Sequence, residues 1–467
     1  MRAILLIDFG STYTKLTALD LDGPRVLAHA QAFTTSATDI SIGLEAAKQK
    51  LHAVCGPLDY SARLACSSAA GGLNMVASGL VPGLTSKAAR LAAFGAGAKV
   101  IKTYAYQLTR GDISEIETIK PDILLLSGGI DGGNSEVILH NAGMLQKASG
   151  EFPVVIAGNR SAQEECALIL QESSHPVYRA ANVMPDMNTL NIEPVAGVIR
   201  EIFLKRIVQA KGLSKAQSLL DGILMPTPSA VLKALTLLSM GQGKRHGIGD
   251  LVAVDLGGAT TDVYSIAKGD PVNPTTLVRG LPEPHVKRTV EGDLGMRYNA
   301  EGILEAAGTE LLCRLSNLPE DVLRGIVSAY RRDPSRLPKS AEEAAADKAL
   351  ASAAMAIALA RHAGTLERVY TPVGPVDQQT GKDLTRVDRM LVTGGALIFA
   401  GDLDGIVAGA LAQQDLMALT PRSCRVSADK SYILSALGLL ADYDPEAALT
   451  LLLEYFGRDD AYASVKH

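Results

Sequence analysis

The 467-residue chain has no tryptophan, and its aromatic content is only 4%. A platform that stacks bases or sugars on a row of rings is therefore a poor fit. A basic excess is missing too. The formal net charge is −5, which argues against a nucleic-acid surface. Cysteine is sparse and scattered: Cys55, Cys66, Cys166, Cys313 and Cys424 leave no two at C-x-x-C spacing. That argues against a zinc ribbon or a local cluster motif and suits a reducing compartment. Long hydrophobic runs are also lacking. The opening MRAILLIDFG is apolar only up to Asp8 and reads as a buried strand, not a signal peptide. The longest apolar stretch, AAADKALASAAMAIALARHAG, contains Asp347, Lys348 and Arg361. It reads as an alanine-rich buried helix rather than a membrane span. These absences predict a soluble cytoplasmic protein with no nucleic-acid or membrane partner.

What is present is globular. Hydrophobic residues make up 47% and charged residues 20%, and the length allows two or three domains. Residues 3–8 form an apolar run into Asp-Phe-Gly, and KLTALDLDG returns to a turn at Asp22-Gly23, so a hairpin is predicted. Residues 86–105 read as helical. DILLL at 122–126, FPVVIAGN at 152–159 and HPVYRAANVMP at 175–185 read as strands separated by helical segments, a parallel α/β unit over 119–190. Helices are predicted over 195–211, 229–240, 300–316, 319–332, 341–364, 431–442 and 445–456. RMLVTGGALI at 389–398 reads as a buried strand ending in Gly394-Gly395, and YRRDPSRLPKSA, starting at Tyr330, as a loop.

Two stretches echo each other. IDFGSTYTK carries Asp8, Gly10, Ser11, Thr12 and Lys15; VDLGGATTD carries Asp255, Gly257, Gly258, Thr260, Thr261 and Asp262. Each is strand, Asp-x-Gly, small hydroxyl residues, then strand. Glycine lets a backbone turn sharply and approach a ligand closely. Successive N–H groups in such a turn bind anions, and hydroxyls add donors. A carboxylate beside phosphates becomes useful when it holds Mg²⁺, usually through water. Asp8 and Asp255 are thus candidate metal and catalytic acids around one Mg·nucleotide. Asp262 is a third acid that could orient water or bond the turn. Lys15 could face the phosphates or point to solvent from the return strand. Two ordinary hairpins remain the plain alternative, and the matched pair weighs against it. His285 and Cys66 have no partner at ligand spacing and read as structural.

The ordered set of motifs resembles the actin, Hsp70 and sugar-kinase ATPase superfamily. ILMPTPSAVLKAL at 223–235 is similar to the helix before the second phosphate loop, VTGGA at 392–396 to the loop that packs on the nucleoside, and SALGLLA at 435–441 to the second connecting helix. The resemblance implies an α/β fold of two actin-like, ribonuclease H-like lobes. Residues 1–118 and 191–250 would form the first lobe, 119–190 an inserted α/β unit, 251–434 the second lobe, and 435–467 C-terminal helices returning to the first. ATP and Mg²⁺ would bind between the lobes, with Gly394 and Gly395 at the nucleoside. One departure stands out: Hsp70-type members carry a glutamate where this chain has Met225. That puts fast hydrolysis in doubt and leaves a slow Mg-dependent ATPase as the expectation. In VEGDLGMRY at 290–298, Asp293 could position a water, against a favoured reading as a helix-entry turn.

Three classes compete within that superfamily. A sugar or other small-molecule kinase needs a catalytic aspartate as general base, which has no clear candidate here. DFGSTYTK is similar to the activator ATPases of radical dehydratases, but those hold an iron–sulfur cluster with paired cysteines, and no close pair exists. ILLIDFGSTYTKLTALDL, PDILLLSGGIDGGN, VVIAGN, ANVMP, AVDLGGATTDVYS, VEGDLGMRY and MLVTGGALI together look like a third family, the MutL/GlmL-type accessory protein of adenosylcobalamin-dependent glutamate (methylaspartate) mutase. That resemblance runs over most of the chain, the inserted unit included. It implies an ATP-dependent chaperone or reactivase whose partner is a cobalamin-dependent mutase. Related aminomutases are alternative partners, and the oligomeric state is open, with a homodimer among the options.

Overall fold

The segment AILLIDF forms the first strand, Ala3–Phe9 (β1), and all seven of its residues are buried. A strand hidden on both faces needs neighbours on both sides and layers above and below. In the computed structural model β1 pairs antiparallel with Tyr13–Asp20 (β2), which pairs antiparallel with Arg25–Phe33 (β3). On its other edge β1 runs parallel to Tyr60–Ser67 (β4), which runs parallel to Gly222–Pro226 (β10). The order is β3-β2-β1-β4-β10. The structure describes residues 1–10, 12–35, 39–68, 73–96, 98–209, 222–372, 374–458 and 463–465. They divide into two units, Met1–Val231 with Gly438–Tyr443, and Leu232–Leu437 with Asp444–His467.

The second unit repeats the pattern. Leu251–Leu256 (β13) pairs antiparallel with Thr261–Ile266 (β14), which pairs antiparallel with Val286–Glu291 (β16). β13 also runs parallel to Arg389–Thr393 (β19), and β19 to Cys424–Ala428 (β20). Ala463–Val465 (β21) adds an antiparallel edge strand. Numbered within each unit, both sheets read 3-2-1-4-5, with a meander of three antiparallel strands and two parallel additions. This is the ribonuclease H-like arrangement, present twice in one chain, and it bears out the expected α/β class and lobes. The alanine-rich stretch is the helix Ala341–His362, buried along most of its length in the core of the second unit. Ser340 caps it by accepting the Glu343 N–H.

The first unit also holds a wholly parallel sheet. Its strands are Leu73–Gly79 (β5), Ala98–Ala105 (β6), Ile123–Leu126 (β7), Val154–Ile156 (β8) and Val177–Arg179 (β9). The order is β6-β5-β7-β8-β9, a doubly wound arrangement. Three of its strands come from the 119–190 stretch, and two come from upstream of it.

Most predicted helices are present, among them Glu193–Gln209, Thr227–Met240, Glu320–Arg332, Ile433–Tyr443 and Pro445–Phe456. Residue 211, the predicted end of the 195–211 helix, lies outside the described residues. Three readings need revision. Residues 86–105 are not one helix: a helix over Thr85–Gly95 gives way to strand β6. Gly95 ends it, and β-branched Val100, Ile101 and Thr103 favour a strand. The 300–316 helix breaks at Gly308, whose φ of 82° leaves helical space, into Ala300–Ala307 and Thr309–Ser316. RMLVTGGALI is a strand only to Thr393 and then a short helix, Gly395–Ile398. Among the described residues no helix is long and apolar enough to cross a membrane.

Candidate functional site

In the first unit Asp8 lies near the end of β1, opposite Lys15 on β2 and Cys66 on β4. Its side chain is buried, at 4% exposure. A buried carboxylate needs partners to offset lost hydration. Thr227 Oγ1 donates to Asp8 Oδ1 at 2.6 Å, and Cys66 Sγ donates to the same oxygen at 3.6 Å. Lys15 Nζ lies 3.6 Å from Oδ2. Burial, and then the Asp8 charge, push the Cys66 thiol well above its ordinary value, so it stays protonated and able to donate. Gly10 closes the hairpin, its N–H donating to the Tyr13 carbonyl at 3.0 Å. A Cβ on Gly10 would lie 2.6 Å from that oxygen, so the turn requires glycine. Thr12 is exposed and its carbonyl accepts the Thr34 N–H. Ser11 lies outside the described residues.

The second unit builds the same hairpin with different charges. Asp255 on β13 is half-buried and faces Asp262 on β14 and Thr393 on β19. Gly257 N–H donates to the Thr260 carbonyl at 2.9 Å, the counterpart of the Gly10 bond. Asp262 Oδ1 accepts from Arg288 Nε at 2.8 Å and from its terminal nitrogen at 2.5 Å. Arg288 stands on β16, and both side chains are nearly fully buried. Asp262 also accepts from Thr260 Oγ1 at 3.3 Å, so it bonds the turn as well as the arginine. The Thr261 hydroxyl is buried and donates to the Leu294 carbonyl, which leaves Thr260 as the partly exposed hydroxyl of the pair.

The glycine pair at 394–395 packs directly on this hairpin. Gly394 has φ 89°, and a Cβ there would lie 2.4 Å from the Leu256 carbonyl and 2.7 Å from Asp255 Oδ1. Only glycine permits that approach. Gly395 is exposed. Leu397 and Ile398 N–H groups return to the Gly394 carbonyl and start the short helix. Behind this loop Asp429, buried at 2% exposure, accepts from the N–H groups of Ile433 and Leu434 and from Thr393 Oγ1. It caps the helix that bears SALGLLA and ties it to the VTGGA strand. In the first unit Gly438 of that helix meets Ala230 of the PTPSA helix so closely that a Cβ would lie 1.8 Å from the Ala230 carbonyl.

The VEGDLGMRY segment braces the second hairpin. Met296 N–H donates to the Gly257 carbonyl, and the N–H groups of Arg297 and Tyr298 donate to that of Gly258. Asn299 Nδ2 bonds the Ala259 carbonyl at 2.8 Å and stands just before the helix Ala300–Ala307. The segment therefore enters a helix, as expected. Asp293 pairs with Arg361 at 2.9 Å.

Within the first unit the structure brings Asp8, Gly10 and Lys15 together; within the second it brings Asp255, Gly257, Gly258, Thr260, Thr261, Asp262, Gly394 and Gly395 together. Sequence reasoning passed over Thr227, Arg288 and Asp429, and set Cys66 aside as structural although its sulfur touches Asp8. Among the described residues no three His, Cys, Asp or Glu side chains converge into a metal cage.

A family model described as MutL protein matches residues 4–456. Protein MutL of Clostridium tetanomorphum is 46% identical over 460 residues, covering 97% of this chain and 99% of that protein. Among solved structures, the activator of the 2-hydroxyisocaproyl-CoA dehydratase from Clostridium difficile, with bound ADPNP, aligns over 96% of this chain and 97% of its own, with TM-score 0.34 and 9% identity. The xylulose kinase from Bifidobacterium adolescentis aligns over 99% and 94%, with TM-score 0.31 and 13% identity. At such scores neither structure carries its chemistry over to this chain.

Proposed function

The chain belongs to the MutL protein family, and from that premise we propose that it binds Mg·ATP through its two hairpins and serves a cytoplasmic adenosylcobalamin-dependent mutase, such as glutamate mutase, as a chaperone-like reactivating partner. The observation that supports this reading most is the duplication. Asp8 and Asp255 stand at the same place in two 3-2-1-4-5 sheets, each followed by a glycine turn closed by the same backbone bond. One such turn is a common hairpin; the same turn at matching positions of two sheets would serve as a pair of phosphate grips.

Asp8 and Asp255 would hold Mg²⁺, largely through water, and the ion would supply charge neutralisation at the phosphate oxygens. Ser11, Thr12 and Gly258 would offer N–H and hydroxyl donors to phosphate, and Gly10 and Gly257, whose own N–H groups close the two turns, would let the backbone come close. Lys15 offers a cation beside Asp8. Gly394, buried against the Asp255 hairpin, would set the turn that presents the exposed Gly395 to the nucleoside. Thr227 and Cys66 orient Asp8. With Met225 buried where a second carboxylate would be needed, hydrolysis is slow, and Asp262, engaged by Arg288, acts by orienting the turn. Nucleotide changes the protein only insofar as it binds one conformation better than another. The mutase would feel that change and release damaged cofactor.

The activator alternative is disfavoured because no two of the five cysteines lie at close spacing in the sequence and Cys66, Cys166 and Cys424 are buried. The experiment is reactivation of cobalamin-inactivated glutamate mutase by purified protein with Mg·ATP. Recovery of mutase activity that needs ATP is expected. Absence of recovery together with phosphorylation of a small molecule would replace this reading with a kinase.

A further inference from the structure

A small sheet of the second unit has no part in the nucleotide reading. Leu277–Arg279 (β15), Thr365–Thr371 (β17) and Gly374–Thr380 (β18) form it, in the order β15-β18-β17. β17 is therefore an edge. Edge strands present unpaired N–H and C=O groups to any strand that can lie beside them, and proteins blunt them with bulges, prolines or covering loops. β17 pairs with β18 without a bulge and contains no proline. A loop covers only its first residues. There Leu366 N–H donates to the Met417 carbonyl at 2.8 Å, and Leu419 N–H to the Gly364 carbonyl at 2.8 Å.

Those bonds fix which groups face outward. In an antiparallel ladder alternate residues direct their backbone groups to opposite edges. Leu366 bonds away from β18, so Arg368 and Tyr370 direct their N–H and C=O groups the same way. Among the described residues neither makes a backbone hydrogen bond on that edge. The covering loop closes the strand up to Leu366, and the hairpin turns after Thr371, which pairs with Gly374. The open window is thus 367–371, centred on Val369. The loop at its near end carries Leu416 and Met417, 84% and 52% exposed. Arg422 holds that loop in shape by donating to the Leu416 and Ala418 carbonyls.

We propose that this window pairs antiparallel with the same window of a second copy of the chain, about a two-fold axis through Val369. Turn position sets strand register, and this register lays the whole window against itself. Arg368 then lies opposite Tyr370 of the second copy, and the outward N–H groups of both residues meet carbonyls. The Arg368 side chain is already set on one face by Asp377, which accepts from its Nε at 3.1 Å. Tyr370 lies on that same face and is 85% exposed. A guanidinium over a phenol ring is a favourable cross-strand pair. The β-branched Val369 meets its own copy, Glu367 meets Thr371, and no like charges stand opposite. The turn of each hairpin comes to rest beside Leu416 and Met417 of the other copy, which covers that apolar shelf. A foreign strand of arbitrary sequence would match neither the length of the window nor the shelf.

The test is sedimentation velocity of the full chain over a range of concentrations, joined to cross-linking through Val369→Cys under mild oxidation. Directly opposed residues of a non-hydrogen-bonded pair have Cα atoms about 4.5 Å apart, within the disulfide range of about 4.4–6.8 Å. Val369→Cys should therefore give a covalent dimer that the oxidised parent protein and Val376→Cys, on the middle strand, do not. Wild type should sediment as a concentration-dependent dimer. Tyr370→Pro removes an outward N–H and no bond to β18, so the hairpin persists and dimerisation weakens at least about tenfold. Tyr370→Phe keeps the ring and the N–H and should dimerise as wild type does. A wild-type monomer at every concentration overturns the proposal, whatever else the edge binds. So does a dimer that survives Tyr370→Pro at full strength, or one that Val369→Cys fails to cross-link.

Discussion

The two hairpins share a backbone and differ in charge. Asp8 and Asp255 occupy matching strand positions, and Gly10 and Gly257 close matching turns. Across the ladder Asp8 faces Lys15, while Asp255 faces Asp262. The first unit neutralises its aspartate locally, with Lys15 on one oxygen and Thr227 and Cys66 on the other. The second places two acids side by side and assigns Arg288 to one of them. Asp262 is thus engaged and nearly fully buried, whereas Asp255 is only half-buried. Duplicated topology thus sets where the acids stand, and the residues opposite set how each carboxylate can be used.

The difference can be attacked from either side. Arg288→Met leaves the buried Asp262 carboxylate without its cation and should cost about 3–5 kcal/mol of unfolding free energy in urea titrations. Adding Asp262→Leu should recover much of the loss, because the uncompensated charge is then gone. Nothing equivalent holds for Lys15, which is partly exposed.

Next in size is Gly394→Val. Overpacking against Leu256 and Asp255 costs about 1–3 kcal/mol, and a left-handed backbone adds about 1–2 kcal/mol for a residue with a side chain. Mg·ATP affinity should fall by about 100-fold, the factor that about 2.7 kcal/mol commands. An unaltered affinity would separate the glycine pair from the nucleoside.

In the first unit Thr227→Val removes a hydrogen bond to a charged group, a contribution of about 1.5–3 kcal/mol. Stability should fall by an amount in that range, and Mg·ATP affinity by about tenfold, while Thr227→Ser should keep most of both. Equal loss in the two variants would show packing rather than the hydroxyl at work.

The smallest effect concerns pH and belongs to the second unit. Lys382 is fully buried, with Nζ bonded to Ser265 Oγ and to the carbonyls of Pro284 and His285. Burial, reinforced by the charge of Lys287, lowers its pKa from 10.5 to about 7. Between those values the unfolded chain holds a proton that the folded chain lacks, so this group makes stability rise with pH. The slope approaches about 1.4 kcal/mol per pH unit within the window and vanishes below it. Unfolding titrations at pH 7.5 and 9 should show Lys382→Met losing that rise relative to wild type.

Much of this was legible in the residues. Apolar runs ending in Asp-x-Gly marked β1 and β13, and glycine pairs marked loops where a Cβ has no room. These are local signals, and local signals survive in a sequence. Arg288 could not be matched to Asp262 without knowing that β16 lies beside β14. Thr227 and Cys66 meet Asp8 only because parallel crossovers bring β4 alongside β1 and β10, which runs into the Thr227 helix, alongside β4. The alanine-rich 86–95 stretch hid the change to strand at β6, since alanine signals helix while the β-branched residues after it are few. Contacts decided by strand order were invisible for the same reason throughout.

The central claim is that both hairpins grip one Mg·ATP. Calorimetric titration of wild type, Asp8→Asn and Asp255→Asn tests it directly. One nucleotide per chain is predicted for wild type, with affinity lowered at least about tenfold, or about 1.4 kcal/mol, in each variant. Full affinity in either variant, or two nucleotides per chain, would contradict it.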